Sequence, residues 1–202
     1  MSYRKEKKFK VSFSGAQDFK DLLIQKGMSK LYNSRSINSI YYDNLELGMF
    51  YDSEESILPR KKVRVRWYNE DKKFTLEKKI SSIEGRFKAV KELTNISSQS
   101  DLFHDQHFDR QYGNLIPSLK VSYMRSYFTY ASLRITFDNN ITYQSCNYGL
   151  TRYFKDPECV VEIKIPSDCP DDYIEKYIPH VTSRFSKYSR GHLLSLGILG
   201  EF

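Results

Sequence analysis

The stretch from Arg60 to Tyr68 limits the possible folds more than any other part of the chain. Lys62, Arg64, Arg66 and Tyr68 alternate with Val63, Val65 and Trp67. A repeat of two is the repeat of a β-strand, so the two sets fall on opposite faces. One face is a row of cations. Like charges so placed repel one another, and the arrangement gains nothing unless that face meets water or a polyanion.

The pattern recurs. Glu6, Lys8 and Lys10 stand opposite Phe9, Val11 and Phe13; Glu77 and Lys79 opposite Leu76 and Ile80; and Glu162 and Lys164 among Val161, Ile163 and Ile165. Arg134, Thr136 and Asp138 alternate with Leu133, Ile135 and Phe137 in a fifth strand of this kind. A single such strand is most simply the wet side of an antiparallel sheet. Five with Arg or Lys on the polar side, three of them pairing it with Glu at i and i+2, favour a shared anionic ligand.

In chain order, residues 5–13 read as a strand. Ser14 to Gln17 resembles a capping box opening a helix that Gly27 ends. Ser36 to Asp43 is a second strand, and 44–58 a mixed connection closed by Pro59. The basic strand forms a hairpin with Phe74–Ile80, and Phe87–Leu93 continues the meander. Residues 95–116 read as a short helix with loops. Leu119–Tyr130, Leu133–Asp138 and Val160–Ile165 complete the strands, with Gly149 and Pro157 punctuating the last excursion, and helices are expected over Asp171–Tyr177 and Ser183–Leu196. The expected fold is one α+β domain over residues 1–202. It is built on seven or eight mostly antiparallel strands, and closing them into a barrel would remove exposed edges.

The net charge of +7 suits an anionic partner. Nucleic acid is not the expected one, because the aromatic residues alternate mostly on the apolar side, where core packing accounts for them. Cys146, Cys159 and Cys169 contain no C-x-x-C pair, which points to a reducing compartment. There is no signal-peptide core, and no segment approaches the roughly 18 apolar residues that span a bilayer, so a cytoplasmic location is expected. Inside a barrel the cations would need a narrow, densely charged ligand indifferent to base identity. Phosphate chains meet that demand. Glutamates in such a place are costly unless they hold a hard divalent cation, so magnesium or manganese is the expected cofactor.

These residues also carry a resemblance. The ordered motifs E-x-K (Glu6, Lys8), Y-Y-D (Tyr41 to Asp43), R-x-K-x-R-x-R-x-Y (Arg60 to Tyr68), L-E-x-K (Leu76 to Lys79), Y-x-R (Tyr123 to Arg125), R-x-T-x-D (Arg134 to Asp138), E-x-K (Glu162 to Lys164) and S-K-Y (Ser186 to Tyr188) resemble the vacuolar transporter chaperone (VTC) domain. That domain belongs to the triphosphate tunnel metalloenzymes, with the CYTH proteins such as thiamine triphosphatases and class IV adenylate cyclases. The resemblance runs from about residue 3 to residue 195. It implies a closed eight-stranded antiparallel tunnel with flanking helices, and an ATP-dependent polyphosphate polymerase that moves the ATP γ-phosphate onto a growing chain.

By motif position the resemblance implies that Arg64, Arg66, Lys79, Lys88, Arg125 and Arg134 clamp phosphates. Lys8, Lys62 and Lys164 line the tunnel, and Lys187 reaches in from the last helix. Glu162 is the leading metal ligand; Glu6 and Glu77 are others, with pairing to neighbouring lysines as the open alternative. Arg4 stands where CYTH proteins carry the first Glu of E-x-E-x-K, which favours the polyphosphate branch. The inositol-phosphate-sensing domain and membrane helices of the eukaryotic polymerase do not accompany these motifs, so separate membrane partners are a possibility. Two other readings stay open: a metal-dependent tripolyphosphatase or nucleoside triphosphatase, and a non-catalytic module that binds polyphosphate or triphosphate. His104 and His107 lack a third ligand and read as surface residues.

Overall fold

The computed structural model describes residues 4–146, 152–166, 169–170, 172–178 and 185–199. Gly149, Asp171 and the first residues of the expected 183–196 helix lie outside them. Strand β1 is Arg4–Ser12, followed by helix α1, Phe13–Gln25. β2 is Ser29–Asp43, α2 Gly48–Glu54, β3 Arg60–Tyr68, β4 Phe74–Ser82 and β5 Gly85–Leu93. A 3-10 turn at Asp101–Phe103 precedes the short β6, His107–Asp109. β7 is Gly113–Tyr130, β8 Leu133–Ser145, β9 Tyr153–Lys155 and β10 Glu158–Pro166. Helices α3, Tyr173–Tyr177, and α4, Lys187–Ser195, follow.

These strands form one sheet in the order β1-β10-β8-β7-β2-β3-β4-β5, with β6 attached to β7 and β9 to β8. The pairs β1–β10, β10–β8, β2–β3, β3–β4 and β4–β5 are antiparallel. The α+β class stands. Among the described residues the hydrogen-bonded path runs from β1 to β5 without joining its ends. No helix among them is long and apolar enough to cross a membrane.

Several local expectations are corrected. The first strand stops at Ser12, whose hydroxyl, rather than that of Ser14, accepts from the Gly15 amide at 3.1 Å and caps α1. Phe13 is therefore the first helical residue and is 62% exposed, so it does not belong to the apolar face of β1. The connection over 44–58 contains α2, whose start is fixed from outside the helix: Asp43 accepts from the amides of Met49 and Phe50, both at 3.0 Å. The polar 95–116 span contains β6 and the beginning of β7. A two-residue turn, Ala131 and Ser132 at φ 46° and 66°, joins β7 to β8 as a type I′ turn would.

By packing the chain divides into two compact units, each with its own core. The first comprises Met1–Ser36, Tyr123–Ile141 and Asp156–Phe185. There α1 lays Ala16, Phe19 and Leu23 on Phe9, Ile135, Phe137, Val161 and Ile163, the apolar faces of β1, β8 and β10. The second comprises Ile37–Ser122, Thr142–Lys155 and Ser186–Phe202. In it Val63, Val65 and Trp67 of β3 pack with Ile40, Tyr42, Met49, Phe74 and Leu102. In both units most of the apolar set predicted by the period of two is core, which aims the charged set at the opposite face.

Candidate functional site

In the second unit, alternation on β3 sends Arg64 and Arg66 away from the core, yet they are only 8% and 9% exposed. Register sets Arg64 between Tyr41 and Glu77, and Arg66 between Ser39 and Thr75. The Arg64 Nε donates to Glu77 Oε2 at 2.6 Å, its Nη2 lies 2.5 Å from the same oxygen, and its Nη1 donates to the Tyr41 hydroxyl at 2.8 Å. Arg66 donates from Nε to Ser39 Oγ at 3.1 Å and brings Nη1 within 4.0 Å of Glu77 Oε2. Lys88 holds the other oxygen, Oε1, at 2.5 Å. Burial alone would raise the Glu77 carboxyl; Arg64, Arg66 and Lys88 outweigh it and bring it down to about 2.

Next to this group, Lys62 of β3 is directly across from Lys79 of β4, which is directly across from Lys88 of β5. Three lysines thus stand abreast on adjacent strands. Lys62 donates to Ser186 Oγ at 2.9 Å and lies 5.2 Å from the centre of the Tyr188 ring. Ser186 also caps α4 by accepting from the Ser189 amide at 3.3 Å, and the Tyr188 hydroxyl donates to Asp43 Oδ2 at 2.5 Å. Lys187 opens α4 and is half-buried.

In the first unit, Glu162 plays the part of Glu77. Register puts Lys8 and Thr136 on either side of it, and Arg134 beside Lys164. Arg125 Nη2 donates to Glu162 Oε2 at 3.3 Å, Lys8 Nζ is 3.8 Å from that oxygen, and Lys164 pairs with Oε1. Burial opposes ionisation of Glu162, and Arg125, Lys8 and Lys164 hold it well below the usual range regardless. Arg125 is itself fixed by two bonds to the buried Asp138, at 2.5 and 2.7 Å. Glu6 completes the group, 2.5 Å from Lys8 and 3.5 Å from Lys164. The Arg134 guanidinium stands 5.9 and 5.7 Å from the rings of Tyr32 and Tyr127.

Among the described residues no group of three or more His, Cys, Asp or Glu is placed to hold a metal. Glu6 and Glu162 nevertheless share the cations Lys8 and Lys164; burial and then the Glu162 charge oppose ionisation of Glu6, and Lys8 and Lys164 outweigh them. Two carboxylates suit Mg²⁺ or Mn²⁺, which complete their shells with water and phosphate oxygens. Glu77 has cations on both oxygens. His107 packs edge-on against the Tyr42 ring at 4.6 Å and lies 3.2 Å from Asp105, while His104 is exposed.

The structure thus gathers Arg64, Arg66, Glu77 and Lys88, with Lys62 and Lys79 beside them, in one unit. In the other it gathers Glu6, Lys8, Arg125, Glu162 and Lys164, with Arg134 alongside. Sequence reasoning named Tyr41, Asp138 and Tyr188 only as members of motifs, and gave neither them nor Ser39 the role of holding the cations still. The polar residues at period two on β2 were the available signal for the first pair; nothing local marks Asp138 as the partner of Arg125, thirteen residues away.

A family model described as the VTC domain matches residues 3–196. The chain belongs to the VTC domain family. No curated protein matches it. Among solved structures, the VTC domain is similar to a conserved hypothetical protein from Pyrococcus furiosus at 14% identity and TM-score 0.56, covering 92% of this chain and 99% of that one. It is similar to a putative adenylate cyclase from Vibrio parahaemolyticus at 15% identity and TM-score 0.55, covering 96% and 98%. A putative adenylyl cyclase from Hippeastrum, described as having a dominant triphosphatase activity, matches at 16% identity and TM-score 0.55, covering 94% and 95%. At these identities the likeness is one of fold.

Proposed function

We propose that this VTC domain is an ATP-dependent polyphosphate polymerase, acting in the cytoplasm alone or with a separate membrane partner. The observation that carries the reading is the strip Lys62, Lys79 and Lys88 beside Arg64 and Arg66: five cations on three neighbouring strands. Like charges directly opposite one another destabilise a sheet, and a linear polyanion turns that cost into binding. The tunnel implied by the family would come from closure of the eight-stranded path over one domain. Lys187, at the start of α4, would add a cation to the phosphate path.

In the reaction, an oxygen at the end of a polyphosphate chain attacks the γ-phosphorus of ATP. The bond from that phosphorus to the β-phosphate oxygen breaks, and ADP leaves. Such a transfer asks for in-line positioning and neutralised charge rather than a protein nucleophile. Arg64 and Arg125 are suited to this because Glu77 with Tyr41, and Asp138 with Glu162, fix their planes before substrate arrives. Arg66, Arg134, Lys8, Lys79, Lys88 and Lys164 supply further charge. Glu162, with Glu6, would hold Mg²⁺ or Mn²⁺, which when bound neutralises phosphate charge and lowers the barrier to attack.

A hydrolase is the second reading, favoured by the triphosphatase activity described for the Hippeastrum protein of similar fold. Incubation with ATP and Mn²⁺, with products resolved by gel and by phosphorus NMR, separates the readings. Long phosphate chains are expected from the wild type, with loss of at least about a hundredfold in Arg64→Ala, Arg66→Ala, since removing one preorganised donor commonly costs that much. Orthophosphate without chains would establish the hydrolase, and tight binding without turnover a binding module.

A further inference from the structure

We propose that Glu77 is a resident counter-ion of the basic strand, a negative charge that polyphosphate displaces and that sets how tightly the chain is held. The inference rests on the polyanion-binding reading above and gives Glu77 a role other than metal ligation.

Glu77 is 4% exposed, and both of its oxygens are engaged: Oε2 by Arg64, with Arg66 at 4.0 Å, and Oε1 by Lys88. The groups acting on it most strongly, after its own burial, are these three cations. Glu162, by contrast, has a second carboxylate, Glu6, in its group. A metal at Glu77 would have to enter among three cations, and the groups acting most strongly on Glu77 include no second carboxylate to help it, which is unfavourable.

The geometry also shows what Glu77 competes for. It occupies Nε and Nη2 of Arg64, the edge of the guanidinium fork that matches two oxygens of a phosphate. While Glu77 holds that edge, Arg64 keeps its orientation and the cations are partly neutralised. A phosphate group arriving there takes over Arg64 and Lys88, and leaving, it returns them. A polymerase needs this exchange, because a chain gripped by uncompensated cations at every step cannot advance.

The test is equilibrium binding of tripolyphosphate and of long-chain polyphosphate to the wild type and to Glu77→Gln, without divalent metal and across a range of salt. Removing one charge at contact distance should tighten binding about tenfold or more. It should also steepen the dependence of log K on log salt by about one, as one further cation becomes available to the polyanion. Turnover should fall as KM falls, because the product chain is retained. If Glu77→Gln is poorly folded, Glu77→Asp, which keeps the charge but draws it back from Lys88, should bind with an intermediate affinity. Weaker or unchanged binding by Glu77→Gln, or loss of metal stimulation with unchanged binding, overturns the proposal. A wild type that binds neither polyanion overturns the proposed function instead, so the two failures are distinguishable.

Discussion

Single residues in this protein fall into those whose chemistry alternation announces and those that hold them in place. Arg64, Arg66 and Lys62 are legible in the sequence because a strand with every second residue basic must turn that side to water or to an anion. The burial of Arg64 and Arg66 is not legible there, because it depends on Ser39, Tyr41 and Glu77, which reach them only through register. His192 is a residue of the second sort. It is 2% exposed, tilted against Phe50 at 5.1 Å and edge-on to Tyr188 at 4.8 Å, and 3.4 Å from Ser118 Oγ. Burial, with Lys62 adding to it, pushes its pKa from 6.5 down to about 3. The folded protein therefore keeps His192 neutral where the unfolded chain would protonate it. Its contribution to stability is full above pH 6.5 and is lost as the pH falls toward 3. Chemical denaturation at stepped pH should show a slope of up to about 1 kcal/mol per pH unit from this residue, absent in His192→Gln. An unchanged slope in the variant would mean that the ring is protonated in the fold.

At the scale of elements, strands are more legible than helix boundaries. Strands with one buried face print their period directly into the sequence, and β3, β4 and β10 follow the expected bounds within a few residues. The start of α1 turns on which of two serines two residues apart caps it, a matter of local backbone geometry. Ser12 has the extended φ and ψ of a cap, −58° and 162°, and its hydroxyl holds the Gly15 amide. Ser12→Ala should cost about 1 kcal/mol in urea denaturation and Ser14→Ala only a fraction of that; the reverse order would restore the Ser14 capping box. Helix α2 is unreadable for a different reason. Its seven residues are too few to display a repeat, and its anchor, Asp43, precedes it at the end of β2.

For the whole molecule, each unit builds a cationic group around one buried glutamate, and only part of this can be foreseen. The sequence shows which strands carry charge; it does not show that Arg125 would spend two bonds on Asp138, or that Lys62, Lys79 and Lys88 would end up side by side, because strand order and register are set by the cores behind them. That row of lysines has a practical consequence. Carried on adjacent strands, whose backbones lie about 5 Å apart, the three lysines read charge density and nothing finer. Heparin, nucleic acid released at lysis and polyphosphate should therefore all adhere to the protein during purification. Wild type should elute from immobilised heparin at clearly higher salt than Lys62→Gln, Lys79→Gln, Lys88→Gln, with equal elution showing that the strip is not the surface that grips. Preparations for any assay are best stripped in high salt first, since a passenger polyanion would mask the activity being sought.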